Sequence, residues 1–240
     1  MKKIALIGVM SFAAVAAHAA ILTQWDFNGA SATTVPGGTA SPTASIGAGT
    51  ASLLGGVTST FASGISNGGS SDPVTTSPNN YGWNITTYAA QSTDNGNRGV
   101  RFDVSTIGFQ GISFRFDVRK SNTSSRYQEV LYTLDGTNFI SAGIVDGNAG
   151  DTWFNGNSFD LSTVAGANNN ANFGFKVVAI FDPTNPTAGV YASSNPSSNY
   201  ATTGTTRFDM VTVNAEAVPE PATMVVLGLI AAAAARRKRK

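Results

Sequence analysis

The sequence predicts an all-β protein, a two-sheet antiparallel β-sandwich of jelly-roll type. Three observations lead there. Apolar and charged residues alternate in Val100-Arg101-Phe102-Asp103-Val104, and do so again over residues 112–119. A period of two is the mark of a strand with one buried face. Charged residues are 12% of the 240, about half of ordinary usage, while Gly alone supplies 26. Finally, no window of eleven or more residues between the two terminal segments carries a helical period.

The elements follow in chain order. Residues 21–27 read as a strand with Trp25 and Phe27 on one face. Residues 28–80 hold one charge, Asp72, and ten Gly, so they read as short strands and long surface loops. Residues 30–43 offer so little to bury that disorder is the alternative there. In residues 112–119, Phe114, Phe116 and Val118 share one face, and Arg115, Asp117 and Arg119 the other. Residues 127–134 and 139–145 flank Asp135-Gly136, a favoured hairpin turn, with residues 135–138 as a longer connection. Phe173, Phe175, Val177, Ala179 and Phe181 line one face of a further strand. Val178 and Ile180 make its other face apolar too, which predicts a central position. Residues 207–213 close the domain. Seven or more strands with long loops suit a sandwich. About 195 residues can bury roughly 70% of their unfolded surface, so no disulfide is needed.

The two ends read as addresses. Residues 1–19 have Lys2 and Lys3 before an apolar run, then Ala17-His18-Ala19 as a small-x-small cleavage site, leaving Ala20 as the new N-terminus. Export machinery and a signal peptidase are the implied partners. At the other end, Pro219-Glu220-Pro221 precedes fourteen uncharged residues, 222–235, and then Arg236, Arg237, Lys238, Arg239 and Lys240. As a helix the uncharged stretch reaches about 21 Å, short of the roughly 30 Å hydrocarbon core. The basic cluster stops transfer and keeps that end cytoplasmic. Both ends therefore predict a globular part facing outward. The organisation read from this is a signal peptide (1–19), an ectodomain (20–214, loop-rich over 28–80), a linker (215–221), a transmembrane sorting helix (222–235) and a cytoplasmic basic tail (236–240).

The tail resembles the bacterial PEP-CTERM sorting signal: a Pro-Glu-Pro motif, a short apolar helix and a basic cluster, in that order. The resemblance covers about 23 residues. It implies recognition by an exosortase, a membrane processing enzyme, and a precursor anchored in the inner membrane before delivery to the cell surface or extracellular matrix. It also implies an association with exopolysaccharide. Residues 98–106, 132–137 and 207–211 further resemble the β-sandwich ectodomains of such proteins, which mostly lack an assigned biochemistry.

Composition closes off much chemistry. There is no Cys, and the only His is His18, within the signal peptide. A mature chain without either has no thiolate or histidine catalysis and no soft-metal site. Setting aside Lys2, Lys3 and the five terminal positives, 8 positive side chains remain against 14 negative, a net of −6. The exported part has no basic surplus for nucleic acid.

Three constellations carry candidate chemistry. Tyr81, Trp83 and Trp153, with Tyr88, Tyr191 and Tyr200, are aromatics in expected loops that could stack on sugar rings. Asp146, Asn148 and Asp151 place oxygens at near-alternate positions, as a calcium loop does, although the spacing is not an EF-hand's. The triplet Arg-Phe-Asp recurs at 101–103, 115–117 and 207–209, each predicting a packed Phe under a surface charge pair. Glu129, Glu216 and Glu220 are the only glutamates, and Glu129 is expected to pair with Arg126. The leading expectation is a non-enzymatic exported protein of the cell surface or matrix. An exopolysaccharide-binding module is the alternative, and a carboxylate-dependent glycosidase is third. No cofactor is expected, calcium excepted.

Overall fold

A computed structural model describes residues 19–218. The residues of the expected signal helix, of Pro219-Glu220-Pro221 and of the sorting helix and basic tail lie outside them. Eleven strands occupy the described part: β1 (Ala20–Trp25), β2 (Thr50–Leu54), β3 (Thr58–Ser63), β4 (Tyr81–Thr86), β5 (Gly99–Asp103), β6 (Phe109–Lys120), β7 (Tyr127–Thr133), β8 (Phe139–Asp146), β9 (Thr152–Asp160), β10 (Gly174–Ala179) and β11 (Thr206–Ala217). Two short 3-10 turns are the only helical elements among the described residues, so none there is long enough to cross a membrane.

The strands form two antiparallel sheets. One runs β3-β4-β11-β6-β9, with β1 also against β11, and the other runs β2-β5-β10-β7-β8. Four pairings are nested: β4 with β11, β5 with β10, β6 with β9 and β7 with β8. The chain from β4 onward is thus a long double ribbon rolled over itself, the jelly-roll path. β10 lies between β5 and β7, as its two apolar faces require.

Aromatic rings tie the sheets together. Trp25 meets Phe102 (5.1 Å between centroids), Phe102 meets Phe175 (5.1 Å), Phe175 meets Phe114 (4.2 Å) and Phe114 meets Phe159 (5.1 Å). The series crosses from β1 to β5 and β10 and back to β6 and β9. Each such contact contributes about 0.5–1.5 kcal/mol beyond area burial. Phe114, Phe116 and Val118 all face this core, and so do Phe173, Phe175, Val177 and Ala179.

The structure decides between the alternatives at two loops. Residues 30–43 are not a loose segment: Trp25 Nε1 donates to Pro42 O, Trp83 Nε1 donates to Thr39 O, and Val35 is buried. Indole N–H groups need a partner once the ring is buried, and this segment supplies two. The β7–β8 connection is the longer one rather than a two-residue turn. Asp135 Oδ1 accepts the N–H groups of Thr137 (2.8 Å) and Asn138 (2.7 Å). The Asn138 side-chain amide leads in holding the Asp135 carboxyl well below the usual carboxylate range. Gly136 supplies the left-handed residue, at φ 81°.

The outer charged face of β6 is also not what alternation alone predicts. Arg115 is exposed, but Asp117 and Arg119 are buried. Residues 64–80, between β3 and β4, lie across that part of the sheet. Ser71 N–H donates to Asp117 Oδ2 (2.6 Å), and Trp153 Nε1 donates to Ser66 O (2.9 Å).

Candidate functional site

The aromatic residues expected to meet sugar are mostly spent inside. Trp83 is fully buried, stacked on Phe27 (5.9 Å) and edge-on to Phe102 (6.1 Å). Trp153 is 9% exposed, beneath the residue 64–80 segment, and Tyr81 is half-buried against the core. Tyr88 and Tyr191 are buried, with hydroxyls bonded to Thr206 Oγ1 and Thr93 O. Tyr200 stacks on Tyr191 and donates to Ala89 O. Burial raises all three phenols, Tyr191 to about 12. These rings close loops over the core; a ring enclosed in that way offers no face to a sugar.

In the expected calcium loop the two carboxylates are turned to different partners. Asp146 binds Arg126 through both oxygens (2.6 and 2.8 Å), which holds its carboxyl below the ordinary range. Asp151 pairs with Arg119 and accepts from Asn67 Nδ2 (3.1 Å). Asn148 is exposed between them. Each carboxylate is neutralised by its own arginine, so the loop does not turn both toward a shared cation. No group of three His, Cys, Asp or Glu side chains among the described residues is placed to hold a metal. Nor do the Arg-Phe-Asp triplets behave alike. Arg101 and Asp103 form the expected surface pair at 2.7 Å, whereas Asp117 and Asp209 are buried and make no ion pair among the described residues.

Sequence reasoning missed one feature open to a ligand. A cavity of about 220 Å³ opens on the outer face of the five-stranded sheet. Ile144, Ile180, Phe181, Pro183 and Pro186 give it apolar walls, and Asn95, Glu129 and Asp182 give it polar ones. Arg126 is turned to Asp146, which leaves Glu129 to the cavity instead of the expected pair. Across the sheet, Gly99, Val178, Glu129 and Ile144 share one row, and Ile144 is 48% exposed. Phe181 is fixed by Tyr191, edge-on at 4.8 Å, and its N–H donates to Asn95 Oδ1 (2.7 Å). In the neighbouring rows, Lys176 Nζ lies 4.3 Å from the Phe139 ring centre and the Arg101 guanidinium 5.2 Å from it. Burial lowers the Lys176 ammonium, and Glu129 opposes that shift. Apolar walls with a few fixed polar groups suit a ligand with both character types. The one signal in the sequence was the apolar outward pair Val178 and Ile180.

The ends of the described chain also converge. Ala20 pairs with Ala215 in register, and Ala217 with Phe109. Val218 N–H then donates to Gly108 O (2.9 Å). β11 therefore continues beyond the expected strand end at residue 213 and carries the chain to the edge of the tail. Of the expected cleavage-site residues, Ala17 lies outside the described residues, Ala19 is the first described, and Ala20 begins β1.

Residues 217–240 match the PEP-CTERM protein-sorting motif. No curated protein matches the chain. Among solved structures, the fold is similar to the Clostridium thermocellum endo-1,4-beta-D-xylanase 10B, in its CBM22-1–GH10 form complexed with xylohexaose. The identity is 11% and the TM-score 0.38, over 60% of this chain and 23% of that one. The likeness is too slight to bear on function.

Proposed function

We propose that this chain, whose residues 217–240 carry the PEP-CTERM sorting motif, is a non-enzymatic protein of the cell surface or extracellular matrix. The motif indicates export and processing by an exosortase, a membrane enzyme, and it is the observation that carries the reading. The work of the sequence ends is delivery. The signal peptide starts export. The apolar stretch 222–235 and the basic cluster 236–240 halt it, and Pro219-Glu220-Pro221 stands at the membrane face for processing. Replacing Pro219, Glu220 and Pro221 together by alanine is expected to leave the tail uncut and the protein in the inner membrane, as read by C-terminal immunoblotting and fractionation. Unchanged cutting and unchanged location would overturn the proposal.

A second reading, an exopolysaccharide-binding module, draws on the cavity over β7, β8 and β10. Its ligand would rest on Phe181 and Ile144 and hydrogen-bond to Glu129 and Asn95. Phe181→Ala and Glu129→Gln should each weaken binding to the producer's own polysaccharide about tenfold or more, the first with some loss of Tm because its ring packs on Tyr191 and the second with little change. An absence of binding to any glycan on an array, with or without calcium, sinks this reading. The glycosidase reading ranks last. Glu129 and Asp182 do line one cavity, but Asp182 Oδ1 is taken up by Thr184 N–H (2.8 Å) and the Thr184 hydroxyl (2.7 Å). Detectable hydrolysis of a polysaccharide, abolished in Glu129→Gln, would reverse that ranking.

A further inference from the structure

Beneath the residue 64–80 segment lies a group of acids that form no ion pair among the described residues, although Arg207 is near enough to attract Asp209. Asp209 on β11 and Asp117 on β6 are opposite each other in register, and both are buried. Like charges directly opposite are destabilising even at a surface. Asp72, from the covering segment, is buried too. The ion pairs of the described residues engage Asp94, Asp103, Asp146 and Asp151, and none of these three. The nearby bases look elsewhere. Arg207 donates to Ser63 O and Asn84 Oδ1, and Arg119 goes to Asp151.

A second observation is independent of the acids. Asn80 is 2% exposed, and its Oδ1 has no hydrogen-bond partner. Its Nδ2 donates to Val74 O (2.8 Å), which fixes the amide so that the oxygen is the atom left over. A buried acceptor without a partner costs about 1–3 kcal/mol. That oxygen packs directly over the Gly64 α-carbon, in the place a β-carbon would take: such a carbon would lie 1.5 Å from Asn80 Oδ1 and 3.1 Å from Asp209 Oδ2. The two oxygens are therefore within about 5 Å of each other, a separation one bound cation can bridge. The Ser70 hydroxyl lies 2.6 Å from Asp209 Oδ2.

We propose that these converging oxygens form a calcium site in which Asp209, the Asn80 amide oxygen and the Ser70 hydroxyl supply ligands, with Asp117 and Asp72 adding flanking charge. The donors are all oxygen, the choice of a hard cation. Calcium accepts an irregular set of carboxylate, amide, hydroxyl and carbonyl oxygens, whereas magnesium demands near-octahedral geometry and keeps its water. The ion would supply both the direct ion pair these acids lack and the partner Asn80 Oδ1 lacks. It would also clamp the residue 64–80 segment onto β6 and β11.

The test uses the full chain in detergent, stripped with a chelator and titrated with calcium chloride or magnesium chloride. Isothermal titration is expected to show one calcium per chain with a sub-millimolar Kd, and magnesium binding at least tenfold weaker. At a calcium concentration a hundredfold above Kd, Tm should rise by about 5–10 °C. Asp209→Asn keeps the shape and should abolish the response, while its calcium-free Tm holds, because burial already favours the neutral form of this carboxyl. Asn80→Asp should bind about tenfold more tightly, so the idea does not rest on one variant. No heat and no Tm shift in the unaltered protein would overturn the proposal. So would a full response in Asp209→Asn, which Asp146→Asn would then trace to the loop at residues 146–151.

Discussion

Lys120 lies in β6 with none of its surface exposed. Its ammonium donates to Arg126 O and Val145 O, and burial lowers it to about 7, against the attraction of Asp146. In the unfolded chain the same group titrates near 10.4. Between these values the unfolded state binds the extra proton, so stability rises with pH from about 7 to about 10, by roughly 3–5 kcal/mol in all. The buried phenols act above that window. Their raised folded values add stability below pH 10 that is lost as pH climbs through them. Urea unfolding should therefore give a maximum near pH 10, and Lys120→Met should flatten the rise between 7 and 10 while stabilising the protein at pH 7. A slope that survives in Lys120→Met would assign the effect to other groups. Trp83 makes the complementary case. Trp83→Ala should cost about 3–5 kcal/mol in the same measurement, as the loss of a core ring, rather than act as a selective loss of glycan binding.

Among the elements, the strands were legible where their pattern is local. Phe114, Phe116 and Val118 share a face because every strand turns successive side chains to opposite sides, whatever lies nearby. The same rule placed Phe173 through Ala179, and two apolar faces placed β10 at a sheet centre. What lies over a strand is not local. Asp117 and Arg119 alternate as solvent-facing residues do, yet a segment that reaches Asp117 from 46 positions earlier in the chain covers them. Tyr-Gly-Trp-Asn reads the same whether its indole faces a sugar or Thr39 O. The cavity was illegible for a related reason. Asn95, Glu129 and Phe181 come from three distant stretches with no fixed spacing, and only the sheet register brings them together. The residue 64–80 segment invites its own check. Gly64→Ala sets a β-carbon against Asn80 Oδ1, so it should loosen this segment first, raising amide exchange over residues 64–80 ahead of the strands. Uniform exchange across the domain would contradict that order.

At the scale of the whole molecule, the two ends of the domain meet. Ala20 and Ala215 are register partners, and antiparallel partners stand about 4.5–5.5 Å apart at Cα. That is within disulfide reach, and the chain has no other Cys to compete. Ala20→Cys combined with Ala215→Cys should oxidise to one intrachain bond, seen as faster migration on a non-reducing gel. Failure to cross-link under oxidant would argue against the register. The pairing also orders events in time. A chain exported from its amino end delivers β1 first and β11 last, yet β11 holds the middle of the six-stranded sheet and zips β1, β4 and β6 together. The sandwich cannot close until residue 217 has crossed, so the final strand acts as the latch of the fold. It arrives directly ahead of the sorting motif, whose match begins at residue 217. Under the proposed sorting, a tail held at the membrane would keep that latch still while it engages, so that maturation of the fold and readiness for cutting would fall in the same moment of transit.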